Sequence, residues 1–517
     1  MIRCLATASL LLGLCSAAVA QPDAERIYRD YCASCHGDDR LGGTGPALIP
    51  ETLSRLRGDA LTRTISQGRT QTQMPAFSET LSKDGIAALT AYVQRPVSPL
   101  PTWTAENVAA SLTLSADYKA PERPVFKADP LNLFIVVETG DHHVSVLDGD
   151  TFDRLDRFVT PFAVHGGPKF SPDGRFVFVM SRDGWVQKYD LWALKEVGRV
   201  RAGLNSRNIA MSKDGKWLAV ANYLPHTLTI LSTADLKVER IFEVSDAKGT
   251  SSRVSAVYQA PTRDSFILAL KDVPEIWEIA TDPNAEPVFE GFVHSHEKGM
   301  KEALASSSGL FSRRRIATTQ PLDDFFFDPE YRHLIGAARD GGKAVVVNLI
   351  VGREIADLDL PGMPHLGSGI SWIQNGRRVM ATPHLKEGVL SIIDLETWKL
   401  VSTIKTEGPG FFLRSHETSP YVWADAFFGK DKNAMHVIDK QTLEIVTTLR
   451  PAPGATVAHV EFDRYGRYAL VSVWEDQGAL IVYDAKTLAE IKRIPMRKPS
   501  GKYNVYNKIT FSEGTSH

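Results

Sequence analysis

At 517 residues the chain is too long for one ordinary hydrophobic core, so we expect two or more domains. Hydrophobic residues make up 43% of the chain and charged residues 23%, which is typical of globular proteins and excludes a fibrous or disordered chain. The formal net charge of −2 gives no electrostatic basis for binding nucleic acid or an anionic membrane.

The first twenty residues have the pattern of a secretory signal. Arg3 supplies the positive start, Leu10 to Leu14 the apolar stretch, and Ala18-Val19-Ala20 a small-residue cleavage site. The apolar run is too short to span a membrane as an anchor. We therefore predict a signal peptide at 1–20 and a protein of the periplasm.

Cleavage there removes Cys4 and Cys15 and leaves Cys32 and Cys35, too few for a disulfide framework. With Ala33, Ser34 and His36 they form CxxCH, the attachment motif of c-type haem. Each thiol can form a thioether with the porphyrin, and the imidazole then lies beneath the iron as proximal ligand. A redox pair would need a thioredoxin-like context and a zinc site more cysteines. The motif predicts one covalent haem c.

A second iron ligand is predicted further along the chain. Met74 lies in the segment QMPAF, at the distance from His36 seen in small class I cytochromes, and a predicted helix over 83–93 follows. Methionine is ordinarily core filler, but a His/Met pair raises the reduction potential and suits electron transfer. We predict a cytochrome c domain over 21–95 and a proline-rich linker over 96–125.

From about residue 126 one pattern recurs: an apolar strand, a polar turn, a second strand ending in Asp, and a further turn. The spacing of roughly forty to fifty residues is the period of a propeller blade. A run of hairpins in a β-sandwich is the alternative. The fold predicted is thus a small all-α class I cytochrome c domain followed by an all-β, eight-bladed β-propeller over 126–517. The apolar strands begin near Phe134, Phe176, Trp217, Phe266, His333, Arg378, Tyr421 and Tyr468.

Some propeller residues are candidates for a second cofactor site. Arg182, Arg207 and Arg253 follow one another in successive blades, and guanidinium groups pair bidentately with carboxylates. Each could equally be an exposed charge beside a strand. Certain histidines fall at the ends of apolar strands or between blades, where a lone histidine is usually structural but a converging group would be functional. These histidines are His165, His365, His384, His416 and His459.

Several of these segments are similar to those of a known family. The propeller resembles the haem d1 domain of cytochrome cd1 nitrite reductases and their biosynthetic relatives over residues 126–510. His165, in FAVH, would be the proximal d1 ligand, and the segments around His365 and His384 resemble the two distal-pocket segments. His459 stands where the nitrite reductases carry a glutamine against the macrocycle. The match is completed by FFLRSH at 411–416 and GKYNVYN at 501–507.

The order of haem c then d1 propeller leaves two kinds of family member open: the nitrite reductase, and the dihydro-haem d1 dehydrogenase branch. The compact c domain and the pair His365-Leu366, where reductases usually have His-Pro, favour the dehydrogenase. A non-enzymatic haem d1 binding and delivery protein is the third alternative, against which CxxCH counts. The partners implied are the tetrapyrrole, a periplasmic electron acceptor, and possible contacts with nitrite reductase and other d1-assembly proteins.

The resemblance implies desaturation of one propionate side chain of dihydro-haem d1 to an acrylate, with electrons passed via haem c. Such chemistry needs a positioned base near the side chain and a one-electron relay. We predict His416 as the base, with His365 and His384 as alternatives. The residues predicted to bind the d1-type group are His165, Arg182, Arg207, Tyr223, Arg253, His459, Gly501 and Tyr506.

Overall fold

The structure, a computed structural model, describes residues 23–42, 45–53, 56, 59–68, 74–161, 164, 167–289, 306–338 and 343–514. The predicted signal peptide at 1–20 lies outside these residues. The chain divides into two compact units, Met1–Pro96 and Val97–His517. Among the described residues, no helix is both long and apolar enough to cross a membrane.

The first unit is helical. Its α1 begins where the Asp23 carboxylate accepts a hydrogen bond from the Arg26 amide at 3.1 Å, and α5 begins where Ser82 caps the Gly85 amide at 3.0 Å. Both are side-chain N-caps, which satisfy amides that the helix itself leaves without partners. The helices described are α1 (Ala24–Tyr31), α2 (Ala33–His36), α3 (Pro50–Leu53), α4 (Asp59–Gln67) and α5 (Lys83–Val93).

The second unit is an eight-bladed β-propeller, as predicted. Its described residues contain eight antiparallel sheets of at least four strands. The blades, given in sheet order from the innermost strand, are blade 1 (Pro499–Asn504, Leu133–Glu138, His143–Asp148, Arg154–Val159), blade 2 (Lys169–Phe170, Phe176–Met180, Trp185–Asp190, Lys195–Arg201), blade 3 (Asn205–Met211, Trp217–Leu224, Thr227–Ser232, Val238–Glu243), blade 4 (Val254–Ala260, Ser265–Leu270, Glu275–Ala280, Arg313–Ala317), blade 5 (Asp324–Phe327, His333–Ala337, Ala344–Asn348, Arg353–Leu358), blade 6 (Ile370–Gln374, Arg377–Pro383, Val389–Asp394, Lys399–Lys405), blade 7 (Leu413–Arg414, Tyr421–Asp425, Met435–Asp439, Ile445–Leu449) and blade 8 (Val457–Phe462, Tyr468–Val473, Gly478–Asp484, Glu490–Met496).

Blade 1 closes the ring. It pairs the late strand Pro499–Asn504 with the early strand Leu133–Glu138, so that Ile135 lies opposite Tyr503. This pairing joins the two ends of the ring, and each blade is left with a short outer strand as its edge. The core lies in apolar clusters between neighbouring blades, where Phe134 of blade 1, for example, packs with Leu470 of blade 8.

The order of strands decides which residues can meet. Consecutive strands of a blade are antiparallel, so their connections alternate between the two ends of the propeller. We call the upper end the one where each innermost strand begins. It carries the loops between second and third strands and the loops between blades. The lower end carries the loops between first and second strands.

The segment predicted as a linker is partly folded onto the propeller. Helix α6 (Ala105–Ser111) begins at a capping box of Thr104 and Asn107, and Val108 is fully buried in the cluster between blades 2 and 3. Strand Thr113–Leu114 then pairs with the outer strand of blade 2. Within the predicted linker over 96–125, residues 105–114 are therefore a helix and a strand that pack on blades 2 and 3. The prolines of this segment lie only near its two ends. Its middle contains the N-cap residue Thr104 and the buried apolar residue Val108, which are the sequence features of a docked helix.

The remaining elements are short. They are the ribbon Val288–Phe289 with Ser306–Ser307, the 3-10 turns Pro261–Arg263 and Leu366–Ser368, and helix α7 (Val505–Thr510).

Candidate functional site

In the first unit, α2 presents a buried histidine in the form that ligates iron. The Nδ1 of His36 lies 2.7 Å from the carbonyl oxygen of Pro46, so Nδ1–H donates there and Nε2 keeps its lone pair. Burial lowers the pKa of His36, which keeps the imidazole neutral. A Cβ placed on Gly45 would lie 2.8 Å from the ring, so only glycine allows this close approach.

The Cys32 thiol and the Met74 thioether share one apolar cluster with Ala33 of α2. Cys32 is buried, Cys35 is partly exposed, and both are free thiols. Burial raises the pKa of the Cys32 thiol to about 11. Met74 packs against the cluster that contains Cys32 and Phe77. The donor set, the neutral imidazole and the glycine beside it fit a covalent haem c.

At the upper end of the propeller, two predicted arginines come together. The Ser206 amide donates to the Arg182 carbonyl at 2.9 Å, and the Arg182 guanidinium reaches the Ser206 carbonyl at 3.5 Å. Arg182 therefore lies beside Arg207, the next residue of blade 3. The Arg207 charge acts on the pKa values of Tyr258 in blade 4 and His365 in blade 6. Arg207 of blade 3 is therefore close to residues of blades 4 and 6. We call the space that the eight innermost strands surround the channel.

The third arginine is engaged within its own blade. Arg253 Nε donates to Asp272 at 2.9 Å, and the Asp272 carboxylate holds the pKa of the guanidinium above its usual value. The guanidinium also lies 5.5 Å from the ring centre of Tyr223, another predicted site residue. Arg253 and Tyr223 are thus neighbours at the upper end, and the Arg253 guanidinium already has a carboxylate partner in Asp272.

His365 lies at the upper end in the loop that leads into blade 6. Its Nδ1 is 2.8 Å from the Phe411 carbonyl, and its Nε2 is 4.0 Å from the Asp324 carboxylate. Burial lowers the pKa of His365, while Asp324 opposes that shift. The imidazole is therefore neutral, with Nδ1–H donated to the backbone and Nε2 able to accept a proton.

His384 is also at the upper end but points into its own blade. Its Nε2 is hydrogen-bonded to Ser391 on the third strand of blade 6 at 2.9 Å, and the side chain is fully buried. Burial lowers the pKa of His384 to about 4, against a smaller opposing effect of the Pro361 backbone. Its Nδ1 has no hydrogen-bond partner among the described residues, as with Nε2 of His459, so it is the bond to Ser391 inside blade 6 that marks His384 as structural.

His459 occupies a distorted position in the innermost strand of blade 8. The pairing shifts register between Ala458 and Val460, and His459 has φ +52°. Its amide donates to the Asp425 carboxylate at 3.0 Å, and its ring lies 4.7 Å from that of Phe412. A non-glycine residue held at positive φ inside a strand costs free energy, which points to function.

The imidazole of His459 is buried with one nitrogen unsatisfied. The side chain is 1% exposed, and Nε2 has no hydrogen-bond partner among the described residues. Burial holds the pKa of His459 well below its usual value, helped by the nearby cations Lys502, Arg414 and Lys508. A buried unpaired nitrogen in a neutral imidazole is an acceptor or donor available to a bound molecule.

Two predicted residues lie at the lower end instead. His416 follows the innermost strand of blade 7, where its Nδ1 meets the Thr418 hydroxyl at 2.8 Å and its ring lies against Gly466. Its Nε2 also lacks a partner in the part of the chain described. Tyr506, on α7, stacks under the Arg464 guanidinium at 4.5 Å. The topology thus places both at the end opposite to Arg182, Arg207 and His365. The roles of His416 as base and of Tyr506 as a d1 contact stay predictions.

His165, the predicted proximal ligand, lies outside the described residues. Its neighbours Val164 and Gly167 are described: Val164 bridges to Ser181, and a Cβ on Gly167 would lie 3.3 Å from the ring of Tyr503. The Tyr503 hydroxyl would in turn lie 2.4 Å from a Cβ on Gly501. Gly501 therefore serves to seat the Tyr503 ring.

Sequence reasoning missed the residues that line the channel beside His459. Tyr503 and Lys502 lie in the segment GKYNVYN, and both contact the His459 imidazole. Arg414 is buried and its Nε lacks a partner among the described atoms, while Glu461 is fully buried. Charged residues such as Arg414 and Glu461 within predicted inner strands were the feature of the sequence that could have indicated these residues.

Together these residues fit a flat anionic macrocycle. Phe412 and Tyr503 offer aromatic faces, Arg207 and Arg414 offer cations for carboxylates, and His459 leaves a buried nitrogen unpaired. A tetrapyrrole with carboxylate substituents has the complementary chemistry.

Comparisons with known proteins agree with this chemistry. Residues 128–508 match the family described as the cytochrome D1 heme domain, and residues 19–93 match cytochrome c oxidase, cbb3-type, subunit III. The chain is 51% identical to the dihydro-heme d1 dehydrogenase of Pseudomonas aeruginosa over 98% of its own length and 99% of the relative's. It is 26% identical to the nitrite reductase of Stutzerimonas stutzeri over 96% of each chain. A solved structure, dihydro-heme d1 dehydrogenase NirN in complex with DHE, matches with TM-score 0.87 and 50% identity, covering 94% of this chain and 99% of that one.

Proposed function

The chain belongs to the family of cytochrome d1 heme domain proteins, and from that membership we propose that it is a dihydro-haem d1 dehydrogenase. It converts one propionate side chain of the tetrapyrrole substrate to an acrylate, with release of two protons and two electrons. The observation that carries the proposal is the similarity, over nearly the whole of both chains, to a relative of that name. A cytochrome c unit and a d1 propeller joined in one chain agree with it, because such chemistry needs both a substrate site and an electron relay.

Haem c, held by Cys32, Cys35 and His36, supplies one-electron transfer when bound. Met74 is the proposed sixth ligand, since it packs against the same cluster as Cys32. The hydrogen bond from His36 to the Pro46 carbonyl fixes the ring and its tautomer. These residues bind and orient the group and exclude water from it.

In the propeller, we assign the proton-abstracting role to His459 and a supporting role to His365. His459 is favoured because its neutral, buried imidazole has an unpaired Nε2 and lies among the aromatic and cationic residues of the channel. Arg182 and Arg207 orient the substrate's carboxylates, and His165 remains the proposed axial ligand of the substrate's iron. A base held rigidly and kept neutral at working pH can accept a proton from carbon without first losing one.

The test uses protein purified from a host that cannot make haem d1, mixed anaerobically with dihydro-haem d1 and a one-electron oxidant. We expect the extracted tetrapyrrole to have lost two hydrogens, as mass spectrometry would show. Recovery of unchanged substrate, together with rapid nitrite reduction by protein loaded with haem d1, would establish a nitrite reductase instead.

The proposed compartment is the periplasm. It is supported by the secretory pattern of residues 1–20 and by the CxxCH motif. The natural electron acceptor is accordingly a periplasmic one.

A further inference from the structure

A buried lysine contacts the proposed base from the neighbouring blade. Lys502, in the innermost strand of blade 1, is fully buried. Its Nζ donates to the His459 carbonyl at 2.6 Å and lies 3.4 Å from the His459 Nδ1. One amine thus holds both the backbone and the ring of the residue at the strand distortion, while the opposite ring nitrogen has no described partner.

We propose that Lys502 is a positioning residue that holds His459 in the tautomer with the proton on Nδ1, and that its amine takes up that proton when Nε2 accepts one from the substrate. The inference rests on the proposed function and on His459 as its base. It deepens that function by naming the group that prepares the base.

The charges around the pair support this direction of transfer. Burial holds the pKa of Lys502 well below its usual value, and the Arg414 charge lowers it further, while Glu461 and Asp425 oppose both. A neutral amine can accept the Nδ1 hydrogen, whereas an ammonium would donate and force the proton onto Nε2. Once the amine is protonated, the Glu461 carboxylate compensates its charge.

The same surroundings disfavour an imidazolium that persists. Burial lowers the pKa of His459, and the charges of Arg414 and Lys508 lower it further, as the Lys502 charge does whenever that amine is protonated. A protonated His459 that could not pass its proton on would therefore be costly in this channel. Transfer to Lys502 restores a neutral ring.

Protons and electrons balance over the reaction. A substrate C–H bond breaks and its proton goes to Nε2, the Nδ1 proton goes to Nζ, and His459 ends neutral with its proton on Nε2. Both electrons of the desaturation go to a one-electron acceptor, one at a time. Before the second proton is taken, Lys502 gives its proton back to Nδ1 and Nε2 releases its proton to water, which restores the neutral amine and the Nδ1–H tautomer. The second proton then follows the same route.

The first measurement needs no substrate. Nitrogen NMR of ¹⁵N-histidine protein with ferrous haem c reports the tautomer of each imidazole, and the His459 signals are those absent from His459→Gln. We expect the Nδ1–H tautomer in the unaltered protein. In Lys502→Arg, whose guanidinium stays protonated and can only donate, we expect Nε2–H. An Nε2–H tautomer in the unaltered protein overturns the proposal.

The second measurement is turnover. In Lys502→Met and Lys502→Arg we expect kcat to fall on the order of 10²-fold, with the substrate Kd changed less than about twofold. Lys188→Met is the matched control, since Lys188 is also buried and donates to two backbone carbonyls, at 2.8 and 2.9 Å, but in the interface of blades 2 and 3. It should lose stability without losing kcat.

The arginine variant separates positioning from mere support. It supplies a long cationic side chain with a donor for the His459 carbonyl, which is all that a protonated, purely structural lysine would supply. With such a structural role, kcat would not fall in Lys502→Arg. Full turnover by Lys502→Arg therefore overturns the proposal even if Lys502→Met fails to fold. Should the unaltered protein not desaturate the substrate, the proposed function fails, and the tautomer measurement still decides what Lys502 does to His459.

Discussion

His365, His384 and His459 all belong to the upper end of the propeller, and burial lowers the pKa of each imidazole. What differs is the partner of each ring nitrogen. Nε2 of His384 is hydrogen-bonded to Ser391, and Nδ1 of His365 donates to the Phe411 carbonyl. Nδ1 of His384 and Nε2 of His459 have no partner among the described atoms, but of these two residues only His459 lies beside Phe412 and Tyr503. Chemistry at a residue is therefore decided by hydrogen-bond partners and neighbouring side chains more than by residue type.

Because burial lowers the pKa of His384, the free energy of unfolding should depend on pH. The pKa of His384 is about 4 when folded and near 6.5 when unfolded, so unfolding takes up a proton between these values. The contribution of neutral His384 to the free energy of unfolding is complete above the unfolded pKa of about 6.5. It is lost as the pH falls from that value toward the folded pKa of about 4. Between pH 7 and pH 5 this loss is about 2 kcal/mol.

The check is urea unfolding of the protein and of His384→Gln at both pH values. Glutamine can still bond to Ser391 but does not titrate, so the variant should lose about 2 kcal/mol less than the unaltered protein on going to pH 5. An equal loss in both proteins would place the titrating group elsewhere.

The axial role of Met74 gives a second prediction at this scale. Met74→Ala should keep covalent haem but lower its reduction potential, roughly by 0.1 V or more, because a thioether ligand favours ferrous iron. Potentiometric titration measures this, and the methionine–iron charge-transfer band should vanish. An unchanged potential and band would remove Met74 from the iron.

Residue roles were predictable where a short motif carries them. CxxCH predicts the role of His36 from spacing alone, and His36 is buried with Nδ1 bonded to a backbone carbonyl. The predicted base, His416, lies at the lower end of the propeller. The strand before His416 is only Leu413–Arg414, too short to recognise from sequence, so the turn after it could not be assigned to the lower end. The surroundings of the His459 imidazole could not be predicted, because Lys502, whose Nζ lies 3.4 Å from Nδ1, is 43 positions away along the chain.

Among the elements, α6 shows how a proline-rich stretch can hold a docked helix. Val108 is fully buried among Met211 and Leu218 of blade 3, while Val125 in the same stretch is 63% exposed. Buried apolar area rather than proline content decides whether such a stretch is a linker.

The matched pair Val108→Ala and Val125→Ala tests this placement. Removing two buried methyl groups should lower the free energy of unfolding of the propeller by about 2 kcal/mol, whereas the exposed site should change it by less than about 0.5 kcal/mol. Denaturant unfolding followed by tryptophan fluorescence makes the comparison. Equal, small effects would return residues 105–114 to the status of a linker.

For the whole molecule, the sequence repeat predicted the eight-bladed ring, because the same pattern of strand, turn and strand recurs at a similar spacing in each blade. It did not predict that the innermost strand of blade 1 comes from Pro499–Asn504, since closure pairs segments from opposite ends of the propeller domain. That closure brings Lys502 beside His459. The candidate site thus depends on the pairing of Pro499–Asn504 with Leu133–Glu138, which joins segments far apart in the sequence.

One measurement tests the central claim most directly: the electron count of a single turnover. Excess protein with ferric haem c, free of d1, is mixed anaerobically with limiting dihydro-haem d1, and haem c reduction and acrylate product are both measured. Desaturation releases two electrons, so we predict two haem c reduced for each acrylate formed, after correction for any change at the substrate's own iron. Bound tetrapyrrole recovered with its propionate intact, and haem c left ferric, would contradict the account.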